Sequence, residues 1–322
     1  MKGLTEIQSI IEDRISAFNY PDSPDLLYNP IQYIMSLPGK RIRPLLVLMS
    51  YQLFDKNIKK ALSPAIGIEL FHNFTLLHDD IMDNAPLRRG SLTVHEKWNS
   101  NIAILSGDVM MIQAYQLITR VESNYLKDVI EAFSKSAIQV CEGQQLDMNF
   151  ETQQNIVLTD YMKMIEYKTA VLLAASLKIG AITAGACIKE QNHLYDFGIN
   201  IGIAFQLKDD LLDAFGDRDL FGKETGGDIK SNKKTFLYLK ALSVADDKQK
   251  IILEKYFKTR IIDNEEKIKN IKEIFLDLKI PEYTNKLIQE YHDRAIKNLD
   301  CVDASNKKYF YELSKKLLDR IN

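Results

Sequence analysis

The chain has 322 residues, of which 46% are hydrophobic and 27% charged, and a net charge of −2. That is an ordinary globular balance with ample material for a core, and nothing global in it points to nucleic acid, so any anion binding must come from local basic clusters. Cys141, Cys187 and Cys301 lie far apart without CxxC spacing, which fits a reducing cytoplasm and gives no zinc signal; the amphipathic, acid-bearing start does not read as a signal peptide, and no apolar run of about 18 residues suggests a membrane span.

Nearly every segment has helical periodicity. The spacing predicts helices over 4–18 and 25–37, the second closed by Pro38 and Gly39. GKRIRP at 39–44 then leads into a buried helix, LLVLMSYQLF. A helix over 59–81 runs into HDDIMD, and a loop bounded by Pro86 and Gly90 follows. Further helices are expected over 93–98, 101–121 and 125–150, with one or two over 158–186 that break near Lys168 and Thr169. A helix over 190–215 carries KDDLLD. Residues 215–235, FGDRDLFGKETGGDIKSNKKT, form the one long loop, and four or so helices follow. With no strand-rich region, low-complexity tract or linker, the expectation is one all-α domain over 1–322.

Asp79, Asp80 and Asp83 stand at i, i+1 and i+4 at the end of the apolar run IGIELFHNFTLL. On a helix, Asp79 and Asp83 share a face, where two carboxylates repel and Asp is a weak helix former. Divalent cations on that face would explain the pattern. Mg²⁺ suits it, because Mg²⁺ takes one or two carboxylates and leaves its other positions to water and phosphate. One such motif by itself reads first as a solvated helix end. The second copy, Asp209, Asp210 and Asp213, after another apolar run, changes the balance. If the two helices face each other, their acidic ends enclose one site for several metal ions and a highly anionic ligand.

Three basic groups accompany the acids: Lys40, Arg41 and Arg43; Arg88 and Arg89; and Lys223, Lys230, Lys233 and Lys234. Each alone passes for solvated surface. Together with the acids they describe a site for two polyphosphate groups, one held through metal and one directly by Arg and Lys. GKRIRP is not a P-loop. His72 and His78 read as core residues, and no HxxxH or HExxH suggests zinc.

In their order, GKRIRP, ELFHNFTLLHDDIMDNAPLRRG, YKTA, FQLKDDLLD and GKETGGDIKSNKKT resemble the trans-isoprenyl diphosphate synthases, the polyprenyl synthetase family. The last third of the chain resembles that family only in being helical. The resemblance implies antiparallel helices around a deep central cavity, usually in a homodimer. It also implies head-to-tail condensation of an allylic diphosphate with isopentenyl diphosphate, releasing pyrophosphate. Mg²⁺, expected as three ions, would be held by Asp79 and Asp83 from one side and Asp209 from the other, with Asp80, Asp210 and Asp213 in support. Arg88 and Lys168, with Lys223 beside them, would grip the allylic diphosphate. Lys40, Arg43, His72 and Arg89 would hold isopentenyl diphosphate, His72 standing where many members have Gln, and Lys233 would be an outer loop lysine. Thr169, Gln206 and the backbone carbonyl near Lys168 would stabilise the carbocation, and the released pyrophosphate would take the proton.

The resemblance also bears on product length. Phe74 lies five residues before Asp79, about 7.5 Å down the helix axis, with Phe71 roughly one turn below it. A helical wheel turns Phe74 about 140° from Asp79, so its role as the floor of the cavity rests on the resemblance. One aromatic followed by Thr75, with no insertion in the acidic motif, resembles short-chain synthases making farnesyl or geranylgeranyl diphosphate. A longer-chain synthase is the nearest alternative. A terpene cyclase would mix Asn, Ser or Thr and Glu in its second metal motif, and a non-catalytic partner subunit would have lost motif residues; this chain does neither.

Overall fold

The computed structural model describes residues 2–153, 155–216, 225–258 and 263–318. These residues are mostly helical, as the periodicity predicts, and the chain divides into two compact units. The first comprises Met1–Lys135, Ala175–Tyr195 and Val302–Tyr309; the second comprises Ser136–Ala174, Asp196–Cys301 and Phe310–Asn322.

The first unit opens with α1 (Leu4–Ser16), α2 (Asp25–Ser36), α3 (Ile42–Phe54) and α4 (Lys59–Met82). Ile7, Ile11 and Ile15 recur every four residues on α1 and are all buried, the expected face of an amphipathic helix. Pro44 is tolerated in α3 because it occupies the first turn, where an N–H would lack a helical partner anyway. After α4 the chain forms a hairpin that the sequence reading leaves as loop: β1 (Leu87–Arg88) pairs antiparallel with β2 (Ser91–Leu92). Its two-residue turn places Arg89 at φ 54° and Gly90 at φ 76°, the left-handed pair of a type I′ turn. Two residues per strand are too few to show alternation. α5 (Val94–Lys97) and α6 (Ser100–Ile118) follow, and the Asn99 side chain caps α6 by accepting the Ile102 N–H. The main packing partner of α6 is α4.

α7 (Leu126–Thr152) begins in the first unit and α8 (Leu158–Ile165) lies in the second. A π-helical turn, Glu166–Ala170, then interrupts the helix at the predicted break, and α9 (Val171–Thr183) continues from it. α10 (Ile188–Phe215) carries the second acidic motif. Beyond it come α11 (Gly227–Lys230), α12 (Phe236–Val244), α13 (Asp247–Lys258), α14 (Asn264–Asp277), α15 (Ile280–Cys301) and α16 (Lys308–Leu318). The second unit's core includes Phe257, which stacks on Tyr238 at 3.9 Å between centroids, together with Ile271, Phe275 and Ile288. Among the described residues, no helix is long and apolar enough to cross a membrane.

Candidate active site

In the first unit the acidic end of α4 meets the hairpin and the GKRIRP segment. Asp79 and Asp80 are on the last turn of α4, and Asp83 caps it, its N–H donating to the Asp79 carbonyl at 2.8 Å. The helical path therefore persists to Asp83, and the two acids remain one turn apart. Asp80 is buried and held by Arg88: Nε donates to both carboxylate oxygens at 2.7 and 2.9 Å, and Nη2 lies 2.6 Å from Oδ1. Burial raises the Asp80 pKa, and the Arg88 charge opposes that rise. Arg88 thus fixes the hairpin to the helix end.

The GKRIRP cations separate into two kinds. Arg41 is buried: Nη1 donates to Glu69 at 2.9 Å and Nη2 to the Met35 and Leu37 carbonyls. It braces the fold and offers little to a ligand. Arg43 Nη1 lies 2.9 Å from His72 Nε2. Burial, followed by the charges of Arg43, Arg89, Arg88 and Arg41, holds the His72 pKa well below its ordinary value, so the neutral ring accepts from Arg43. Burial also lowers the Arg43 pKa to about 10. The Arg89 guanidinium rests against Gly39, where a Cβ would stand only 2.8 Å from Nη1. Gly39 therefore leaves room for Arg89 beside the segment carrying Lys40 and Arg43. Three guanidiniums and a neutral imidazole lie along one end of α4, a cradle for a polyanion.

Below that end, Phe71 and Phe74 are buried, with ring centroids 5.5 Å apart. Phe71 also meets Phe133 edge-on, and Phe74 meets His78 at 4.7 Å. The Thr75 hydroxyl donates to the His72 carbonyl at 2.8 Å.

The second unit builds its site around the π turn. Lys168 Nζ lies 2.5 Å from Asp147 of α7. Thr169 Oγ1 donates to Gln206 Oε1 at 3.1 Å, and Gln206 Nε2 donates to Asp210 Oδ1 at 3.1 Å. Asp210 also accepts from the Tyr161 hydroxyl. Two helix glycines make room for the turn. A Cβ at Gly143 would stand 2.3 Å from the Lys168 nitrogen, and one at Gly202 would stand 2.6 Å from Ala170 Cα. Single π turns of this kind recur at functional sites.

The acids around the end of α10 are crowded. Asp213 accepts the Asp228 N–H at 2.9 Å. Burial, with Asp228 and Asp209 among the nearby charges, raises the Asp210 pKa to about 7, although its hydrogen bonds to Tyr161 and Gln206 lower it. Burial, with Asp213, Asp147 and Asp209 nearby, raises Asp228 to about 6 against the opposing charge of Lys233. Burial is the larger cause of both rises, and the neighbouring acids add to it. Among the described residues no group of three or more His, Cys, Asp or Glu side chains is placed to hold a metal ion.

Lys233 donates its N–H to the Asp228 carbonyl at 2.9 Å, while Lys234 Nζ donates to the Phe150 and Gln153 carbonyls and serves as a clamp. Lys223 lies outside the described residues. Asp147 and Tyr161 were not singled out from sequence, and GGD at 226–228 reads there as weak by itself. The sequence carries GQQLD around Asp147 and GGD around Asp228, patterns too short to stand alone.

The first unit thus offers direct anion binding beside carboxylates, and the second offers crowded carboxylates beside a lysine and fixed oxygen dipoles. This is the equipment of an all-α enzyme of diphosphate chemistry. The Polyprenyl synthetase family model matches residues 24–275, and the chain belongs to that family. It is 35% identical over 325 residues to the geranylgeranyl pyrophosphate synthase of Geoglobus acetivorans, across 98% of this chain and 99% of that one. It is 41% identical over 237 residues to the short chain isoprenyl diphosphate synthase of Methanocaldococcus jannaschii, across 73% and 72%. A crystal structure of a geranylgeranyl pyrophosphate synthase matches it with a TM-score of 0.95, at 42% identity, across 99% of both chains.

Proposed function

We propose that this chain lengthens an allylic diphosphate with isopentenyl diphosphate, needs Mg²⁺ at both acidic helix ends, works as a homodimer and stops at geranylgeranyl diphosphate. It is a short-chain trans-prenyltransferase that releases pyrophosphate. The observation that carries this reading is the cradle of Arg43, Arg88, Arg89 and His72 beside Asp79, Asp80 and Asp83. One diphosphate can be held directly there while a second is held through carboxylate-bound cations.

The division of labour follows the motifs. Lys40, Arg43, His72 and Arg89 bind isopentenyl diphosphate. Arg88, Lys168 and Lys223 bind the allylic diphosphate, with Lys233 on the outer loop. Asp79, Asp83 and Asp209 ligate three Mg²⁺, supported by Asp80, Asp210 and Asp213. Bound Mg²⁺ supplies the charge that lets the allylic C–O bond ionise. Thr169 and Gln206 present oxygens without a reactive nucleophile to the carbocation. Phe71 and Phe74 limit the growing tail, with Thr75 beside them, and the names of two relatives favour geranylgeranyl over farnesyl. Leu105 and Ile112, seven residues apart on α6, are 59% and 57% exposed, which supports a second copy covering that face.

The test is pyrophosphate release by the purified chain given isopentenyl and dimethylallyl diphosphates, with Mg²⁺ or with a chelator, followed by product chromatography. Turnover that needs Mg²⁺ and ends at geranylgeranyl diphosphate is expected. Absence of turnover would mark a partner subunit, and release from a single longer diphosphate alone would mark a cyclase.

A further inference from the structure

Asp210 is 4% exposed, and both of its carboxylate oxygens are engaged from within the second unit. Oδ1 accepts from Gln206 Nε2, and Oδ2 accepts from the hydroxyl of Tyr161 on α8, itself 3% exposed. A phenol is a donor at neutral pH, and its bond to the Asp210 carboxyl is buried, where a hydrogen bond is stronger than in water.

The consequence runs along a chain of bonds. A primary amide has a donor end and an acceptor end. With Gln206 Nε2 committed to Asp210, Gln206 Oε1 must face the other way, where it accepts from Thr169 Oγ1. Thr169 lies in the π turn next to Lys168, whose Nζ is held by Asp147. Tyr161, Asp210, Gln206 and Thr169 therefore form one file of hydrogen bonds whose polarity is set at its Tyr161 end. Without the phenol, Asp210 would keep a buried oxygen lacking a donor. The carboxylate could then turn, and Gln206 and Thr169 would lose their fixed orientation. Asp209 shares the same helical turn and would shift with it.

We propose that Tyr161 is a positioning residue for prenyl transfer, acting through Asp210 on Gln206 and Thr169 without touching substrate. This rests on the function proposed above. It assigns α8 a role that none of the sequence motifs indicates.

Tyr161→Phe removes one oxygen and preserves the ring. The experiment measures steady-state kinetics of the full chain, normalised to the folded fraction by circular dichroism. The expected result is a fall in kcat of roughly 10- to 100-fold, the scale of an ångström-level misplacement, with a rise in the Mg²⁺ concentration needed for half-maximal rate. The KM for isopentenyl diphosphate should change little, since its binding residues lie in the first unit. In a double-variant cycle, Tyr161→Phe should cost little further activity on top of Asp210→Asn, because both break the same file. Effects that multiply independently would overturn the proposal, as would a loss of stability with kcat per folded molecule unchanged. If Tyr161→Phe does not fold, Tyr161→His, which keeps a ring N–H donor, is compared with Tyr161→Leu, which has none. A kcat per folded molecule lost only in Tyr161→Leu supports the proposal, and an equal kcat in the two overturns it. An inactive wild-type chain would instead count against the proposed function.

Discussion

Alanine at Gly143 should nearly silence the enzyme without unfolding it. Gly143 is buried on α7, and its added Cβ would stand 2.3 Å from the Lys168 nitrogen, 2.7 Å from Lys168 Cα and 2.8 Å from the Tyr167 carbonyl carbon. Carbon contacts are comfortable only at about 3.5 Å and beyond, so the π turn must retreat by roughly 1 Å. The obstacle is main chain, which cannot swing aside as the end of a long side chain can. Overpacking of this kind costs about 1–3 kcal/mol, while alanine recovers about 1 kcal/mol of helix propensity relative to glycine. The net loss of stability is then at most about 2 kcal/mol, small enough for the fold to survive. Catalysis is less tolerant. Lys168 is also anchored from Asp147, one turn along the same helix, and a 1 Å displacement of a substrate-holding group costs on the order of 100-fold in rate. Pyrophosphate release and a thermal melt of the same sample separate the two effects. Gly202→Ala, whose Cβ would meet Ala170 Cα at 2.6 Å, should act in the same direction. If Gly143→Ala melts as expected yet turns over like wild type, the π turn does not set the position of Lys168.

Four other perturbations follow from the first unit. Arg88→Ala removes the partner of buried Asp80; discounted for the partial exposure of Arg88, the loss is about 2–3 kcal/mol. It should weaken the allylic substrate, whereas Arg89→Ala should weaken isopentenyl diphosphate, and separate KM values showing both substrates weakened equally by both variants would refute the partition. Phe74→Ala should lengthen the products at a stability cost of about 3–5 kcal/mol, and an unchanged chromatogram would place the floor elsewhere. His72 has a folded pKa well below its ordinary 6.5, so as pH falls below that value the unfolded chain takes up the proton first. Stability present above pH 6.5 is therefore lost on acidification, by about 1.4 kcal/mol per pH unit. Denaturant unfolding at neutral and mildly acidic pH should show this slope, and His72→Gln should reduce it; identical slopes would refute the neutral ring.

Local chemistry was the legible part of the sequence. Two carboxylates one helical turn apart can be read from spacing, because helix geometry fixes their neighbourhood whatever surrounds them. The break near Lys168 was also placed from sequence, though not its π geometry. What spacing cannot supply is a partner distant in the chain. Arg41 and Arg43 look alike in GKRIRP, and only the position of Glu69 makes one a buried brace. Gly143 and Gly202 are ordinary helix glycines until the main chain of the π turn is placed against them. Tyr161 gains its meaning from an acid on another helix. The hairpin that carries Arg88 was hidden by brevity, and its turn was marked only by the Arg-Gly pair.

The π turn also makes the helix on either side of it keep different time. An α-helix advances about 100° per residue, and a π turn holds one residue more than an α turn would. Residues beyond Ala170 are therefore about 100° out of phase with where a continuous α8 would have put them. Lys168 and Thr169 owe their placement to that offset as much as to their identity. Deleting a single residue between Glu166 and Ala170 would restore a smooth helix and leave the buried face of α9 in register, yet it would remove the wide turn that places Lys168 and Thr169. Copying the side chains onto an uninterrupted helix would fail for the same reason: part of this site is encoded as a count of residues.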